Sequence, residues 1–446
     1  MSVSYWNLEG GQTRINTVSP PKVPERVKRA ICVGLIVGAL VAGRVAFKNG
    51  YWKGKSECGL SDKDPSPNCS FSKAAVAADS GKCSEIGRDI LQKGGSAVDA
   101  AIAALLCTSI INPQCMGIGG GVIFTVMDRS GKVKIITSRE TVPRNVNSDL
   151  LKSCPKTTEW SMEWPQDSRW IGVPGEIRGY EAAHRLYGKL PWADLFQPAI
   201  KLAREGFPIP YYQGQHIPRI GNTSLRELYL DKNGNLLKTG DIVKFEKLAD
   251  TLETIANEGP DVFYNGTIAK NLISDIQKAG GKLTLEDLAS YEAKVTDAWN
   301  ISLGEYRMYF PPPPSGGAIL SFILNIMKGE RPPSNMSPSV LKSQSKTLVI
   351  GGSGAETIPP AVASAVMNHL WFGKSLKEAI DTPVVLVDSQ SEVKPEPKLE
   401  KDVVDGLEAK GHKIAKFYNT VNAVEKAGSC ISAWSDERKK GKAAGY

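Results

Sequence analysis

Apolar positions between residues 83 and 126 change period several times, and each change predicts an element. Ile86, Ile90 and Leu91 recur at helical spacing over residues 84–93, and the Gly94-Gly95 pair supplies the positive-φ residues with which helices commonly end. Ser96 then caps a second helix. Over residues 97–110 this helix has no polar face: Val98, Ile102, Leu105 and Leu106 are interleaved with Ala100, Ala101, Ala103 and Ala104, which predicts burial on every side. Asn112-Pro113 ends it, because a residue before proline is pushed out of the α region. Gly117, Gly119, Gly120 and Gly121 lead straight into a strand-like run over residues 122–126. A dinucleotide fingerprint needs strand, glycines and then helix, so this order excludes it.

Downstream, residues 133–137 read as a strand that delivers Arg139. Helical periodicity covers residues 181–187, 193–205, 248–259, 268–279, 318–328 and 361–371, and Thr284 is placed to cap another helix. Upstream, residues 30–43 are uncharged and mostly apolar, behind the basic Lys22, Arg26, Lys28 and Arg29, which the positive-inside rule keeps in the cytosol. With a snorkelling Arg44 the run extends to Phe47 and about 27 Å, close to the roughly 30 Å of a bilayer core. A cleaved signal peptide is the alternative. Five Asn-X-Ser/Thr triplets, at Asn68, Asn222, Asn265, Asn300 and Asn335, fit exposure to a secretory lumen.

Composition narrows the classes. The chain has 446 residues, 41% hydrophobic and 23% charged, as an ordinary globular protein does. Much of the +8 charge sits near the ends, in the N-terminal cluster and in Arg438, Lys439, Lys440 and Lys442. No basic stripe is interleaved with aromatics, so no nucleic-acid partner is expected. Of eight cysteines, Cys32 lies in the apolar N-terminal run and Cys107 in the buried helix, which leaves Cys58, Cys69, Cys83, Cys115, Cys154 and Cys430 for one or two bridges. His184, His216, His369 and His412 lack metal-ligand spacing, and nothing calls for a cofactor.

The run from Ala74-Ala-Val-Ala-Ala-Asp79 through Met116-Gly-Ile-Gly-Gly-Gly121 resembles the γ-glutamyltransferase (glutathione hydrolase) family of N-terminal-nucleophile enzymes. Val173-Pro-Gly-Glu-Ile-Arg-Gly-Tyr180 and Gly188-Lys-Leu-Pro-Trp-Ala-Asp-Leu-Phe-Gln-Pro198 match further blocks of it. The resemblance implies an α/β fold, a four-layer α/β/β/α sandwich, incomplete here. It implies a plasma-membrane protein of single-pass type II topology with the folded part outside. Its divisions are a cytosolic tail 1–29, an anchor 30–47, a stalk 48–70, a large-subunit-like region 71–329 and part of a small-subunit-like region 330–446. It also implies a bridge from Cys83 to Cys58 or Cys69.

The implied chemistry is transfer of the γ-glutamyl group of glutathione to water, amino acids or dipeptides. By resemblance, Arg139, Ser334 and Asn335 hold the donor α-carboxylate, a task suited to a guanidinium fork. Asn335 stands where the family has a second serine and keeps a donor. The oxyanion hole falls on the backbone N–H groups of Gly354 and Ala355. Ala355 takes a positive φ less readily than the family's glycine.

One block is missing. Family enzymes cut themselves before a threonine, whose hydroxyl attacks while its α-amine takes the proton. Glu330-Arg-Pro-Pro-Ser-Asn-Met336 resembles a motif that lies well beyond that cut, yet no threonine block separates it from Gly329. By resemblance the gap is on the order of a hundred residues, the size of a small domain. The chain is therefore expected either to be inactive as it stands or to act as a non-catalytic partner of an active enzyme. A rival reading takes Ser353 as a hydrolase nucleophile with Asp381 and His412, but the Gly-X-Ser-X-Gly pattern fails at Ala355.

Overall fold

The glycine pair after the first predicted helix makes the turn expected of it. α1 (Gly81–Gln92) and α2 (Ala97–Ile111) form a helical hairpin, with Gly94 between them at a φ of 91°. The computed structural model describes residues 70–144, 168, 171–221, 223–320, 336–354, 357–387, 393–396, 399–410 and 420–446. Ser96 caps α2 in a reciprocal box: its hydroxyl accepts the Asp99 N–H at 3.0 Å, and the Asp99 carboxylate accepts the Ser96 N–H at 2.7 Å. From Val98 to Ile111 every residue of α2 is buried, as the missing polar face predicts.

The hairpin places Cys83 opposite Cys107, and they are disulfide-bonded with Cα atoms 5.4 Å apart. This corrects the implied bridge from Cys83 to Cys58 or Cys69, both of which lie outside the described residues. Cys107 sits in a helix buried on every side, and only the facing of two helices marks it as a bridge. Cys430 is also disulfide-bonded, whereas Cys115 is free.

The hairpin and α3 (Glu176–Tyr187), α4 (Trp192–Glu205), α5 (Glu246–Glu258) and α6 (Thr267–Lys278) share one apolar core. Beneath lies an inner layer of strands. β2 (Ile123–Met127), β3 (Val133–Thr137) and β4 (Lys294–Asp297) form an antiparallel sheet in that order, and β1 (Ala75–Val76) pairs separately with β11 (Ala444–Gly445). A second sheet holds β5 (Trp299–Leu303), β6 (Tyr306–Phe310), β7 (Ser339–Lys342), β8 (Lys346–Ser353), β9 (Thr420–Ala427) and β10 (Cys430–Ser435), in spatial order β10-β9-β8-β7-β6-β5. Its outer face carries α7 (Ile358–Leu370) and α8 (Leu376–Asp381).

Alternation along each strand establishes the four layers. Phe124 of β2 and Ile136 of β3 face the helical core, while Met127 and Val133 meet Val340 and Val349 of the second sheet. Leu348 and Ile350 of β8 point the other way, into the core under α7.

Two boundaries differ from the periodic reading. α3 begins at Glu176 rather than 181, because Gly120 O accepts the N–H groups of Gly175 and Glu176 and so starts the helix early. α7 begins at Ile358 rather than 361, with prolines in its first turn, where a missing N–H has no intrahelical partner to lose. Of the helix expected over 318–328, residues 317–320 are helical and the rest lies outside the described residues. The expected anchor and stalk lie outside them too, and among described residues no helix is long and apolar enough to cross a membrane. Asn265 and Asn300 are exposed; Asn68, Asn222 and Asn335 are not among the described residues.

The Cys83–Cys107 bridge closes a sequence separation of 24. Replacing both cysteines by alanine is expected to lower the unfolding free energy by about 3 kcal/mol, read from urea melts.

Candidate functional site

Arg139 follows β3 directly, and its backbone is held by residues too small or too well bonded to let it move. A Cβ added to Gly121 would come within 2.8 Å of Arg139 Cα, so only glycine fits there. Gly175 packs against Ser138 O and the Tyr291 hydroxyl, and Gly179 against the Ser138 side chain. Tyr291 donates its hydroxyl proton to Arg139 O at 2.7 Å. The Arg139 side chain is 40% exposed and its guanidinium pairs with Glu140 at 3.1 Å, so the residue is fixed at its root while its side chain stays accessible.

Glu176, at the first position of α3, is buried against the same glycine loop. Its Oε1 accepts the Tyr180 hydroxyl at 2.6 Å. Burial pushes its pKa up to about 7; the Tyr180 hydrogen bond pulls it down, and among nearby charges Glu140 raises it while Arg139 lowers it. Glu176, Glu140 and Arg139 thus form one electrostatic group at the end of the loop.

The second half of the site stands at the end of β8. Gly354 takes a φ of 139°, and its carbonyl accepts the Thr357 N–H at 3.1 Å and hydroxyl at 2.7 Å in the turn before α7. Beside it, Lys439 Nζ donates to Ser353 Oγ at 2.6 Å and to Asp79 Oδ2 at 3.1 Å, and Asn422 Nδ2 donates to Asp79 Oδ1 at 2.7 Å. The lysine and aspartate side chains are 8% and 1% exposed. Burial would push the Lys439 pKa down, but Asp79, Cys115 and Tyr212 outweigh it and carry it up, so the ammonium stays charged. Cys115 Sγ lies 3.9 Å from Lys439 Nζ.

The glycine loop links the two halves. Its start, at Cys115, reaches Lys439 beside Ser353, and its end, at Gly121, packs on Arg139. No hydrogen bond or ion pair joins Arg139 to Gly354 directly. Ser334, Asn335 and Ala355, the other expected site residues, lie outside the described residues. The serine-hydrolase reading gains nothing: Ser353 is bonded by a charged lysine, Asp381 is taken by Lys377 at 2.5 Å and Trp434 at 3.3 Å, and His412 is not described.

Three residues of the site escape a sequence reading. Lys439 counts there as one of a terminal cluster of surface charges, but it is buried, and its neighbour Arg438 is paired with Asp436 at 2.7 Å and Glu396 at 2.6 Å. Asp79 carries a signal in hindsight, as an acid closing the apolar run from Ala74 to Ala78. Glu176 is the acid after Pro174-Gly175.

The chain matches the family model described as Gamma-glutamyltranspeptidase over residues 83–330 and 328–446. The glutathione hydrolase 5 proenzyme of Mus musculus is 36% identical over 539 residues, which take in 84% of this chain and 93% of that one. The Homo sapiens protein of the same name is 34% identical over 552 residues with the same coverage. Among solved structures, cephalosporin acylase from Bacillus halodurans shares the fold, with a TM-score of 0.73 at 18% identity over 88% of this chain and 99% of its own. Gamma-glutamyltranspeptidase from Pseudomonas nitroreducens complexed with L-DON has a TM-score of 0.50 at 33% identity, over 56% of this chain and 73% of its own.

Two outcomes follow from the buried charges. Lys439→Met leaves Asp79 buried without its cation and is expected to cost about 3–5 kcal/mol of stability. Adding Asp79→Asn should recover most of that loss, as chemical melts of the single and double variants would show. For Glu176 the folded pKa of about 7 lies above the ordinary 4.5, so the folded state holds the extra proton and stability falls as pH rises between those values. Glu176→Gln should remove that fall and stabilise the protein at pH 8 by up to about 3 kcal/mol, measured as the difference between melts at pH 5 and pH 8.

Proposed function

The chain belongs to the γ-glutamyltranspeptidase family, and from that membership we propose that it binds γ-glutamyl compounds such as glutathione through Arg139 without turning them over. The partly exposed Arg139 side chain, fixed at its backbone by Gly121 and Tyr291, supports the binding half of this reading: a planar fork held ready suits a carboxylate. Ser334 and Asn335 would share that carboxylate, and Gly354 and Ala355 would face the carbonyl of the γ-glutamyl group.

One observation supports the absence of turnover above the rest. The alignment with the Mus musculus relative runs over 539 residues, yet 84% of this 446-residue chain is only about 375, so about 160 residues of the aligned stretch, a small domain's worth, have no counterpart here. The two family matches meet at residues 328–330, where the threonine block is missing from the sequence. Without a nucleophile neither water nor an amino acid or dipeptide can accept the group.

The apolar run over residues 30–47 and the exposed Asn265 and Asn300 support a type II plasma-membrane glycoprotein whose folded part faces outward. A second reading keeps the activity: the locus encodes a complete enzyme, and this chain is a shortened product of it. Sequencing transcripts across the Gly329 and Glu330 codons separates the two. A threonine-bearing block in most transcripts would sink the non-catalytic reading.

For the chain as it stands, expression should give one band rather than two subunits, and a γ-glutamyl anilide should release no aniline. Glutathione binding, followed by calorimetry, should weaken about 10- to 100-fold in Arg139→Ala, the loss expected for a charge-assisted hydrogen-bond partner. Unchanged affinity in that variant would rule out Arg139 as the carboxylate anchor.

A further inference from the structure

The inner strand layer contains an edge in an unusual place. Ser138 N donates to Val122 O and Asp128 N to Lys132 O, both at 2.9 Å, so the even-numbered residues of this stretch face β3. By the alternation of an antiparallel ladder, the backbone groups of Ile123, Thr125 and Met127 face the other way. Among the described residues these groups have no backbone partner.

A cavity of about 470 Å³ opens beside that edge. Leu91, Val98 and Ala101 of the α1–α2 hairpin line it on one side, and Ala74 and Tyr446, flanking the β1–β11 ribbon, close it opposite β2. Strands stand on both sides of the cavity under the same helices, because Val76 of β1 and Phe124 of β2 belong to one core. Both also stand on the second sheet: Ala75 packs with Val424 and Ile431, and Met127 with Val340 and Val349. The second sheet runs unbroken through β9, β8 and β7 below them. β1 and β2 therefore share a helical roof and a sheet floor without being bonded to each other. The space between them is a slot in a sheet.

We propose that this slot seats an extended segment of another polypeptide of the family, drawn from the stretch that relatives carry and this chain lacks at Gly329-Glu330. The relatives' extra residues, about 160 by alignment, are more than enough to supply it. Main-chain bonds to Ile123, Thr125 and Met127 would give affinity, as in strand addition at an open sheet edge. Side chains of the incoming strand would be apolar on alternate residues, toward Val98 and Ala101. Lys73, Lys189 and Arg129 outnumber Asp128 at the cavity, so acidic residues would flank that strand. Seating in the slot presupposes that the stretch is absent from this chain; it does not depend on ligand binding at Arg139.

The test uses the full chain and, as probe, the part of Mus musculus glutathione hydrolase 5 that aligns across Gly329-Glu330, made as a separate polypeptide. Sedimentation should show a one-to-one complex, and amide exchange at Ile123, Thr125 and Met127 should slow at least tenfold within it. Lys73→Glu with Lys189→Glu, two changes at the slot that leave β2 intact, should weaken the complex at least tenfold with an unchanged circular dichroism spectrum. No complex at about 100 μM probe would overturn the idea, as would binding that leaves those three amides unprotected. Protection of the three amides in the chain alone would overturn it as well, and its dependence on protein concentration would tell a second copy from the chain's own residues. Glutathione binding and anilide release are measured on the isolated chain, so they report on the proposed function whichever way the slot experiment falls.

Discussion

A single buried ion pair sets the geometry of the candidate site. Lys439 and Asp79 are removed from water together, and each is tolerable there only because of the other and of the bonds from Asn422 and to Ser353. The pair fixes the end of β8, where Gly354 turns, relative to the segment before α1. Through Cys115 it reaches the glycine loop, and through that loop the root of Arg139. Gly354 and Arg139 are thus positioned by a contact that belongs to neither. This is an indirect way to build a site, and it makes the charge pair a positional element rather than a source of net stability.

The root of Arg139 is built from local packing in the same way. Arg139 is held by backbone packing of Gly121, Gly175 and Gly179 and by Tyr291, all of which precede the junction at residue 329 in the sequence. Function resides in such locally built constellations more than in the fold that carries them.

Legibility in the sequence followed the range of the interactions. The α1–α2 hairpin was readable because its period, its Gly94-Gly95 stop and its Ser96 cap are all local, and so was the total burial of α2. The strand leading to Arg139 was readable for the same reason. Cys83–Cys107 was not, since two half-cystines on buried helical faces look like ordinary core residues until the helices are placed side by side. Lys439 was hidden more thoroughly: flanked by Arg438 and Lys440 it resembles solvated charge, and its partner Asp79 stands at the far end of the sequence. The unpaired edge of β2 left no mark in the strand's own residues, and only the resemblance, through the block absent at Gly329-Glu330, pointed to an incomplete sandwich.

The β1–β11 ribbon has a further meaning for the history of this chain. Ala75 pairs with Gly445, so two points near the ends of the described stretch are clasped to each other, and the segments between them form a single large loop. For a loop of that size the entropy of closure grows only as the logarithm of its length. Inserting or removing about 160 residues at Gly329-Glu330 changes that entropy by roughly 0.3 kcal/mol. As far as closure is concerned, the middle of this protein tolerates the gain or loss of a domain-sized stretch while the clasp stays shut.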